Sequence, residues 1–351
     1  MGYRTIVIGT DGSATSYRAQ QKAVRFAKTV GAHLVITCAS LPGGVSRVDA
    51  LRILAKARAS AERYGVTAET EVRAGEPGET LAHVAGRVGA DLIAVGDVGM
   101  GRARRLRLGG VAERAAHSAP CDVLIVRTRR KVRKTADQRV YRRIVVGTDG
   151  TPTASEAVRK AFDLGMMFEI HVSVVYVAGD ELVGSIVLER AAAGKPDWVP
   201  YSTRIVRGKP ADMLIEAAEE ERGDLMIVGN KGIVGARRYV MSSVPAELAH
   251  RAPRDLLIAK TVGRTLEDLA PGHGGVVDVN GNKLAVYIDI DGTVHALSPR
   301  CAHMGCTVDW NDGDKTWDCP CHGSRYRFDG AVVHGPATRG LDPHSLEPRR
   351  N

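Results

Sequence analysis

The chain has 351 residues, with 49 Lys and Arg against 40 Asp and Glu, which gives a formal net charge of +9. That length allows two or three domains, each with a core of its own. Its apolar and charged fractions, 44% and 25%, are ordinary for a soluble protein. No apolar run is long enough to span a bilayer, and the N-terminus lacks the segment order of a signal peptide. We therefore expect a cytoplasmic protein with no transmembrane segment.

The positive charge is concentrated in one stretch of the chain. Residues 127–143 carry a net charge of +8, whereas residues 263–351 carry −3. We interpret the basic stretch as a solvated linker. An anionic membrane surface, touched peripherally, and an acidic redox partner are the alternatives. No helix-turn-helix and no basic surface interleaved with aromatic residues favours nucleic acid as a partner.

A long internal repeat covers residues 1–262. The segment that starts at Tyr3 recurs at Tyr141, and the segment that starts at Gly89 recurs at Arg222. Such a long period indicates a duplicated domain rather than a solenoid.

Each copy alternates short apolar runs with helical patterns. IVIGTDG, HLVITCA, DLIAVG and DVLIVR are typical of buried parallel strands, whereas ATSYRAQQKAVRFAKTVG and ALRILAKARASAERYG have apolar residues at helical spacing. We therefore predict two doubly wound parallel-sheet α/β domains at residues 1–128 and 141–262, joined by a basic linker at 129–140. Ligands are expected at the carboxyl ends of the strands.

A glycine-containing loop follows the strand DLIAVG in the first copy and DLMIVG in the second. Glycine lets the backbone turn tightly and approach a ligand, and the N-terminus of the next helix offers free N–H groups to an anion. Such loops are also common as plain strand-to-helix turns, so spacing alone leaves both interpretations open.

Both copies resemble universal stress protein domains. The resemblance rests on an opening strand that ends in Asp and on the ATP-binding motif of the family, which is Gly, two residues, Gly, nine residues, Gly, then Ser or Thr. The first copy has Gly110 where the motif has a hydroxyl, and the second has Ser242 in place of the last glycine. The resemblance implies ATP binding in at least one copy. It also implies that stress domains pair, either within one chain or in a homodimer. The nucleotide-binding positions that it implies are Asp11, Gly96, Gly99, Gly109 and Gly110 in the first copy and Asp149, Gly229, Gly232, Ser242 and Ser243 in the second.

After Lys260 the pattern changes to short strands separated by Gly, Asn-Gly and Asp-Gly turns, so residues 263–351 are predicted to form a small all-β domain. Four of the six cysteines lie there, in CAHMGC and CPCHGS. Two disulfides would leave the histidines unexplained and conflict with a cytoplasmic location. A zinc finger usually takes its cysteines from one segment and its histidines from another, whereas here each loop supplies both.

A Rieske [2Fe–2S] centre accounts for this arrangement, because one iron takes two thiolates and the other takes two imidazoles. The ligands are then Cys301 and Cys319 on one iron and His303 and His322 on the other.

The two loops resemble those of high-potential Rieske proteins, including the subunits of cytochrome bc and b6f complexes. The resemblance implies a disulfide between Cys306 and Cys321. It also implies hydrogen bonds from Ser324 and Tyr326 towards the cluster and a covering loop that contains Pro336. Such donors raise the reduction potential.

From these features we predict an electron-transfer protein rather than a stand-alone enzyme. It relays single electrons from an oxidoreductase, such as a hydrogenase or dehydrogenase, to a quinone-linked or other respiratory acceptor. The stress domains then serve docking or nucleotide-dependent regulation. The alternative is a redox- and ATP-responsive sensor whose output is partner binding.

Overall fold

The computed structural model divides the chain into two compact units, Met1–Thr261 and Val262–Asn351. The residues that it describes are 2–98, 108–128, 139–177, 181–193, 195–196, 198–230, 243–260, 266, 269–279, 282–303, 305, 307–319 and 323–346. Within these ranges, no helix combines the length and the apolar character that crossing a membrane requires.

The first repeat alternates strands and helices, as its apolar pattern predicts. Its elements are β1 (Thr5–Gly9), α1 (Ala14–Val30), β2 (His33–Ser40), α2 (Arg47–Arg63), β3 (Ala68–Ala74), α3 (Pro77–Val88), β4 (Leu92–Gly96), α4 (Gly110–Ser118) and β5 (Asp122–Val126). No apolar run predicts β3, because it is an edge strand whose sequence, AETEVRA, is largely exposed or half-buried.

The second repeat has the same order of elements. They are β6 (Arg143–Thr148), α5 (Pro152–Phe168), β7 (His171–Val177), α6 (Glu181–Ala193), β8 (Tyr201–Val206), α7 (Pro210–Glu220), β9 (Leu225–Gly229), α8 (Val244–Arg251) and β10 (Asp255–Ala259). The duplication seen in the sequence is therefore a duplication of the fold.

The two repeats share one ten-stranded sheet, with strand order β3-β2-β1-β4-β5-β10-β9-β6-β7-β8. Strands within each repeat are parallel, but β5 and β10 pair antiparallel, with Leu124 opposite Leu257. The last strand of each repeat thus pairs with the last strand of the other. The sequence leaves open whether the stress domains pair within one chain or in a homodimer, and in the structure the two repeats pair within one chain.

The seam between β5 and β10 is held by two buried carboxylates in equivalent positions. Asp122, at the start of β5, accepts a hydrogen bond from the Tyr3 hydroxyl at 2.7 Å. It also accepts bonds from Lys160 Nζ of the second repeat at 2.6 and 2.7 Å, and from the Lys260 backbone N–H at 2.8 Å. Because its carboxylate is almost fully buried, these donors replace the water it loses on folding.

Asp255, at the start of β10, has the equivalent set of partners with the two repeats exchanged. It accepts from the Tyr141 hydroxyl at 2.8 Å and from the Arg127 backbone N–H at 2.9 Å, and it pairs with Lys22 Nζ of the first repeat at 2.7 Å. Each carboxylate is therefore satisfied by one tyrosine of its own repeat and one lysine of the other.

The residues that follow β5 and β10 reach across the seam to the ends of helices. Arg127 Nη2 donates to the carbonyls of Leu248 and Ala249 in α8, at 2.9 and 2.7 Å. Lys260 Nζ donates to the carbonyl of Ala119, just past α4, at 3.0 Å. Cations at helix C-termini satisfy orphan carbonyls and complement the helix dipole.

The second unit is all β within its described residues. Strands β11 (Gly274–Val279), β12 (Asn282–Ile288) and β13 (Val294–Leu297) form one antiparallel sheet. Strands β14 (Asp309–Asn311), β15 (Thr316–Asp318), β16 (Arg325–Arg327) and β17 (Val332–His334) form another. Trp310 and Trp317 face each other across β14 and β15 and pack in the core with Tyr287.

We predict that Asp122→Asn destabilises the first unit by about 3 kcal/mol, because the half-buried Lys160 ammonium loses its close carboxylate partner and keeps only Glu156, at 3.6 Å. Urea unfolding of the full chain measures the loss. Glu62→Gln is the matched control, because its pair with Arg58 is exposed and should contribute no more than about 0.5 kcal/mol. Equal, small losses in both variants would contradict the role assigned to the seam.

We also predict a pH dependence of stability that comes from Lys260. Burial disfavours its ammonium and lowers its pKa to about 8, whereas an unfolded lysine has a pKa of about 10.4. Between these values the unfolded state binds more protons at this lysine, so the contribution of Lys260 to the free energy of unfolding should rise with pH. Cys38 and Cys121, whose pKa values burial raises to about 11 and 12, contribute in the opposite direction in both proteins compared below. We expect about 2 kcal/mol of this rise between pH 8 and 9.5.

Lys260→Met should remove that rise, and urea unfolding at pH 7.5, 8.5 and 9.5 compares the two proteins. The series stays below pH 10, where unfolded tyrosine begins to lose its proton. Burial raises the pKa of Tyr3 and Tyr141 well above the usual value, so the stability that these two tyrosines contribute is lost only above that pH. Parallel pH profiles for the two proteins would show that Lys260 is charged throughout.

Candidate functional site

The candidate metal centre lies in the second unit, where two cysteines from separate loops come together. Cys301 follows β13 and Cys319 follows β15, and each side chain is 3% exposed. The backbone N–H of Cys319 donates to the Ser324 carbonyl at 2.7 Å, and the N–H of Gly323 donates to the Cys319 carbonyl at 3.1 Å. These bonds fix the backbone of Cys319 against Gly323 and Ser324, and the Cys319 thiol lies inside the unit.

Tyr326, on β16, links the two loops. Its hydroxyl lies 3.0 Å from Cys301 Sγ and accepts a hydrogen bond from the Ala302 backbone N–H at 3.1 Å. The ring is fully buried, and it stands opposite Trp317 in the sheet. The sequence predicts this residue as a hydrogen-bond donor beside the cluster, and the contact with Cys301 has the geometry for that role.

The ionisation of Cys301 is controlled by these neighbours. Burial opposes the thiolate, but hydrogen bonds from Tyr326, from the His303 backbone N–H and from the Cys319 and Ser324 side chains outweigh it and lower the pKa of Cys301. Burial and the bond to Cys301 raise the pKa of Tyr326 to about 12, so its hydroxyl stays protonated and able to donate.

The segment around Pro336 packs directly on the second loop. The Ser324 hydroxyl is buried and accepts from the Ala337 backbone N–H at 3.2 Å. Gly335 has φ +105°, and a Cβ there would lie 2.5 Å from Ser324 Cα. Only glycine fits this approach, so the segment that contains Pro336 is fixed against the turn after Cys319.

The predicted ligands are described in part. Cys301 and Cys319 are buried together, and His303 is exposed two residues after Cys301. His322, Cys306 and Cys321 lie outside the described residues. The described donors fit an iron that takes two thiolates, because both sulfurs are desolvated and one receives the Tyr326 hydroxyl.

The predicted nucleotide positions at the start of each repeat are local turn residues. Asp11 accepts from the Ser13 N–H at 2.9 Å, and Asp149 accepts from the Thr151 N–H at 3.0 Å. In both repeats the carboxylate fixes the turn that leads from the first strand into its helix.

The glycine loops differ between the repeats. The helix α4 begins at Gly110 after Gly109. Among the described residues it has no side-chain cap, and a Cβ at Gly110 would meet none of their atoms within 4 Å. The helix α8 is capped by Ser243, whose hydroxyl accepts from the Ala246 N–H at 3.4 Å. Gly96 and Gly229 end β4 and β9, as predicted, whereas Gly99, Gly232 and Ser242 lie outside the described residues.

One residue at the first loop is missed by the sequence argument. Asp97, directly after Gly96, is buried and accepts from the Thr128 backbone N–H at 3.0 Å and hydroxyl at 2.7 Å. The second repeat has Asn230 in this position. An alignment of the two repeats could have revealed Asp97. It places a carboxylate in the first repeat and a neutral amide in the second at the same position, which lies at the sheet edge where an anionic ligand is expected.

Known proteins resemble the chain in two separate parts. The model of the universal stress protein family matches residues 2–127, 140–199 and 181–260, and the model of the Rieske [2Fe-2S] domain matches residues 261–345. The solved structure of a universal stress protein from Archaeoglobus fulgidus DSM 4304 has a TM-score of 0.60 at 19% identity, and the match covers 73% of this chain and 96% of that one. At this identity the likeness supports the fold alone.

Two curated relatives are iron-sulfur proteins that match parts of the chain. The cytochrome b6-f complex iron-sulfur subunit of Chlorobaculum thiosulfatiphilum is 30% identical over 137 residues, which are 38% of this chain and 75% of that protein. The protein YhfW of Bacillus subtilis (strain 168) is 46% identical over 81 residues, which are 23% of this chain. The chain spans only 16% of the length of YhfW.

We predict that Gly335→Ala destabilises the second unit by about 3 kcal/mol, since it combines a positive φ with a clash against the Ser324 backbone. Gly292→Ala is the control. Its φ is +88° but a Cβ there meets no atom within 4 Å, so it should lose only about 1 kcal/mol.

Tryptophan fluorescence during urea unfolding reports on this unit in a Trp198→Phe background, because Trp310 and Trp317 are then the remaining tryptophans. Equal losses in the two glycine variants would mean that the segment around Pro336 does not press on the second loop.

Proposed function

We propose, because the chain belongs to the universal stress protein family and ends in a Rieske [2Fe-2S] domain, that it transfers single electrons through a Rieske cluster. The observation that carries the proposal is the buried pair Cys301 and Cys319 with the Tyr326 hydroxyl at 3.0 Å from one sulfur. The proposed ligands are Cys301 and Cys319 on one iron and His303 and His322 on the other.

When bound, the cluster supplies a one-electron couple between its oxidised and reduced states. The residues of this chain tune that couple. Burial of the two cysteines excludes water, and the Tyr326 hydroxyl stabilises the extra negative charge of the reduced state. Ser324 holds the segment around Pro336 over the same side of the site.

The proposed exit for the electron is the imidazole edge. His303 is exposed, whereas both cysteines are buried, so a partner can approach the histidine side without opening the unit. Protons bound by the histidines couple electron transfer to pH. We propose that Cys306 and Cys321 form a disulfide between the two loops; burial would protect it from the glutathione pool.

The proposed partners are redox proteins. The donor is an oxidoreductase such as a hydrogenase or dehydrogenase, and the acceptor is a quinone-linked or other respiratory component in contact with the cytoplasm. The support for a carrier is the buried pair Cys301 and Cys319 with the exposed His303 beside it, where a partner protein can approach. Stopped-flow mixing with candidate donors tests the relay, and a cluster that no donor reduces would overturn it.

Electron paramagnetic resonance of the anaerobically purified, dithionite-reduced protein tests the cluster itself, with iron and sulfide assayed on the same sample. We expect a rhombic Rieske signal and about two irons per chain. His303→Ala should lose the signal, whereas His334→Ala, an exposed histidine of the same unit, should keep it. Zinc in place of iron in the wild-type protein would overturn the proposal.

A second candidate function is a sensor that couples nucleotide binding to the redox state of the cluster. It is favoured by the second repeat, where Ser243 caps α8 with its hydroxyl and Asn230 replaces the buried carboxylate of Asp97. Phosphate oxygens are bound by helix N-termini and hydroxyl donors and are repelled by a carboxylate. We therefore propose that ATP binds to the second repeat rather than to the first.

We predict that Ser243→Ala weakens ATP binding about tenfold, because it removes one hydrogen bond to a charged group. Ser46→Ala is the matched control, since Ser46 also caps a helix, α2, through its hydroxyl. Calorimetric titration of oxidised and reduced protein then separates the two candidate functions. Equal ATP affinity in both states leaves a plain carrier.

We predict that Tyr326→Phe lowers the reduction potential by about 40 to 60 mV, which corresponds to roughly 1 kcal/mol for one electron. Tyr287→Phe is the matched control, because Tyr287 is buried in the same unit but stacks on Trp310 instead. Spectroelectrochemical titration measures both variants. Equal potentials in the two variants would remove the role of the Tyr326 hydroxyl.

A further inference from the structure

The second repeat contains a cavity of about 260 Å³ between α5 and α6, at the carboxyl end of β6. Its lining includes Gly150, Ser155, Phe162, Val187, Arg190 and Ala191. The lining residues of α5 are spaced to lie on one face of the helix, which is turned towards α6.

The described lining of this cavity comes from the end of β6 and from α5 and α6, and it includes no residue of β9 or α8. Gly229, at the end of β9, lies against another side of α5, because a Cβ there would lie 2.5 Å from the Thr153 carbonyl oxygen in the first turn of that helix. Ser155 and Phe162 belong to the side of α5 that faces α6.

The two repeats differ at the positions that line the cavity. Aligning the two copies places Tyr17 at the position of Ser155, Gln21 at that of Arg159 and Val24 at that of Phe162. The Tyr17 hydroxyl accepts a hydrogen bond from Gln21 at 2.9 Å, and Tyr17 is 43% exposed. The second repeat therefore has a small serine where the first has a tyrosine ring.

The cavity is apolar inside and cationic at its rim. Phe162 is buried, and Val187 and Ala191 pack against the core, so the larger part of the interior is apolar, and the hydroxyls of Thr148 and Ser155 are its uncharged polar groups. Of the two arginines, Arg159 is already paired with Glu156 and Asp163. Arg190 is exposed and, within the described residues, has no hydrogen bond or ion pair.

An apolar surface continues outward from the cavity. Leu182 and Ile186, in the first half of α6, are 72% and 44% exposed. A chain that leaves the cavity along α6 would keep part of its length in contact with these side chains. The combination of an apolar slot, an apolar path out of it and one unpaired guanidinium favours an amphipathic anion.

We propose that this cavity binds a small amphipathic carboxylate, whose apolar chain lies between α5 and α6 and whose carboxylate pairs with Arg190. The volume is about nine times the ~30 Å³ that a water molecule occupies in the liquid, so it holds a chain of about eight to ten heavy atoms. A nucleotide needs a larger and more polar site.

Calorimetric titration of the full-length protein with decanoate tests the proposal. We expect one decanoate per chain. Ser155→Tyr places the residue of the first repeat over the cavity and should weaken binding at least tenfold. Ser185→Tyr is the matched control, because Ser185 lies on the far side of α6 and is exposed, and it should leave the affinity unchanged.

The charge requirement is tested separately. Arg190→Gln should weaken decanoate about tenfold but leave decan-1-ol unchanged, and decylamine should bind more weakly than decanoate. Ala191→Leu, which fills the cavity from α6, serves as a second blocking variant if Ser155→Tyr alters the circular dichroism spectrum. The proposal is overturned if decanoate does not saturate the wild-type protein, if both blocking variants bind it normally, or if decylamine binds equally well.

Discussion

The two buried carboxylates at the β5–β10 seam are the constraint on which the first unit depends. Asp122 and Asp255 have given up their hydration, and each is compensated by a lysine from the opposite repeat. Separating the repeats would leave a buried charge on each side without its partner. An isolated repeat would expose its last strand as a sheet edge. In this chain the two last strands, β5 and β10, pair with each other instead. Because each repeat pairs with the other repeat and not with an identical copy, the two sequences can diverge while the pairing is kept. Tyr17 and Ser155, which occupy the same position in the two repeats, are one such difference.

The second unit uses the same principle on a smaller scale. The sulfur of Cys301 is buried and compensated by hydrogen bonds rather than by a lysine, with Tyr326 as the donor from the opposite loop. Gly335 supplies the close backbone contact that a side chain would prevent. Removal of water lowers the local dielectric constant and so strengthens each hydrogen bond that remains. These contacts fix the side chains of the site before any redox change. Few atoms then have to move when the redox state changes, and this favours electron transfer.

Much of this could be predicted from the sequence, and the exceptions have physical causes. The apolar runs give the buried strands, and the cysteine and histidine spacing brings Cys301 and Cys319 together as observed. The edge strand β3 is missed because a half-exposed strand has no apolar run. The seam carboxylates are missed because Asp122 and Lys160 are far apart in sequence, and an Asp before a strand usually indicates a turn. The cavity is missed because its lining comes from the end of β6 and from two helices, and no periodicity along the chain brings those residues together.

The seam also gives a physical route between the two repeats. Helix α1 starts at the turn fixed by Asp11 and carries Lys22 to Asp255, and α5 starts at the turn fixed by Asp149 and carries Lys160 to Asp122. Coupling between sites requires an element with two arrangements that both sites bias. A ligand that moved the start of either helix between two positions would therefore act on a carboxylate of the other repeat. The duplicated lysines give this connection in both directions, because each repeat supplies one helix and one buried carboxylate.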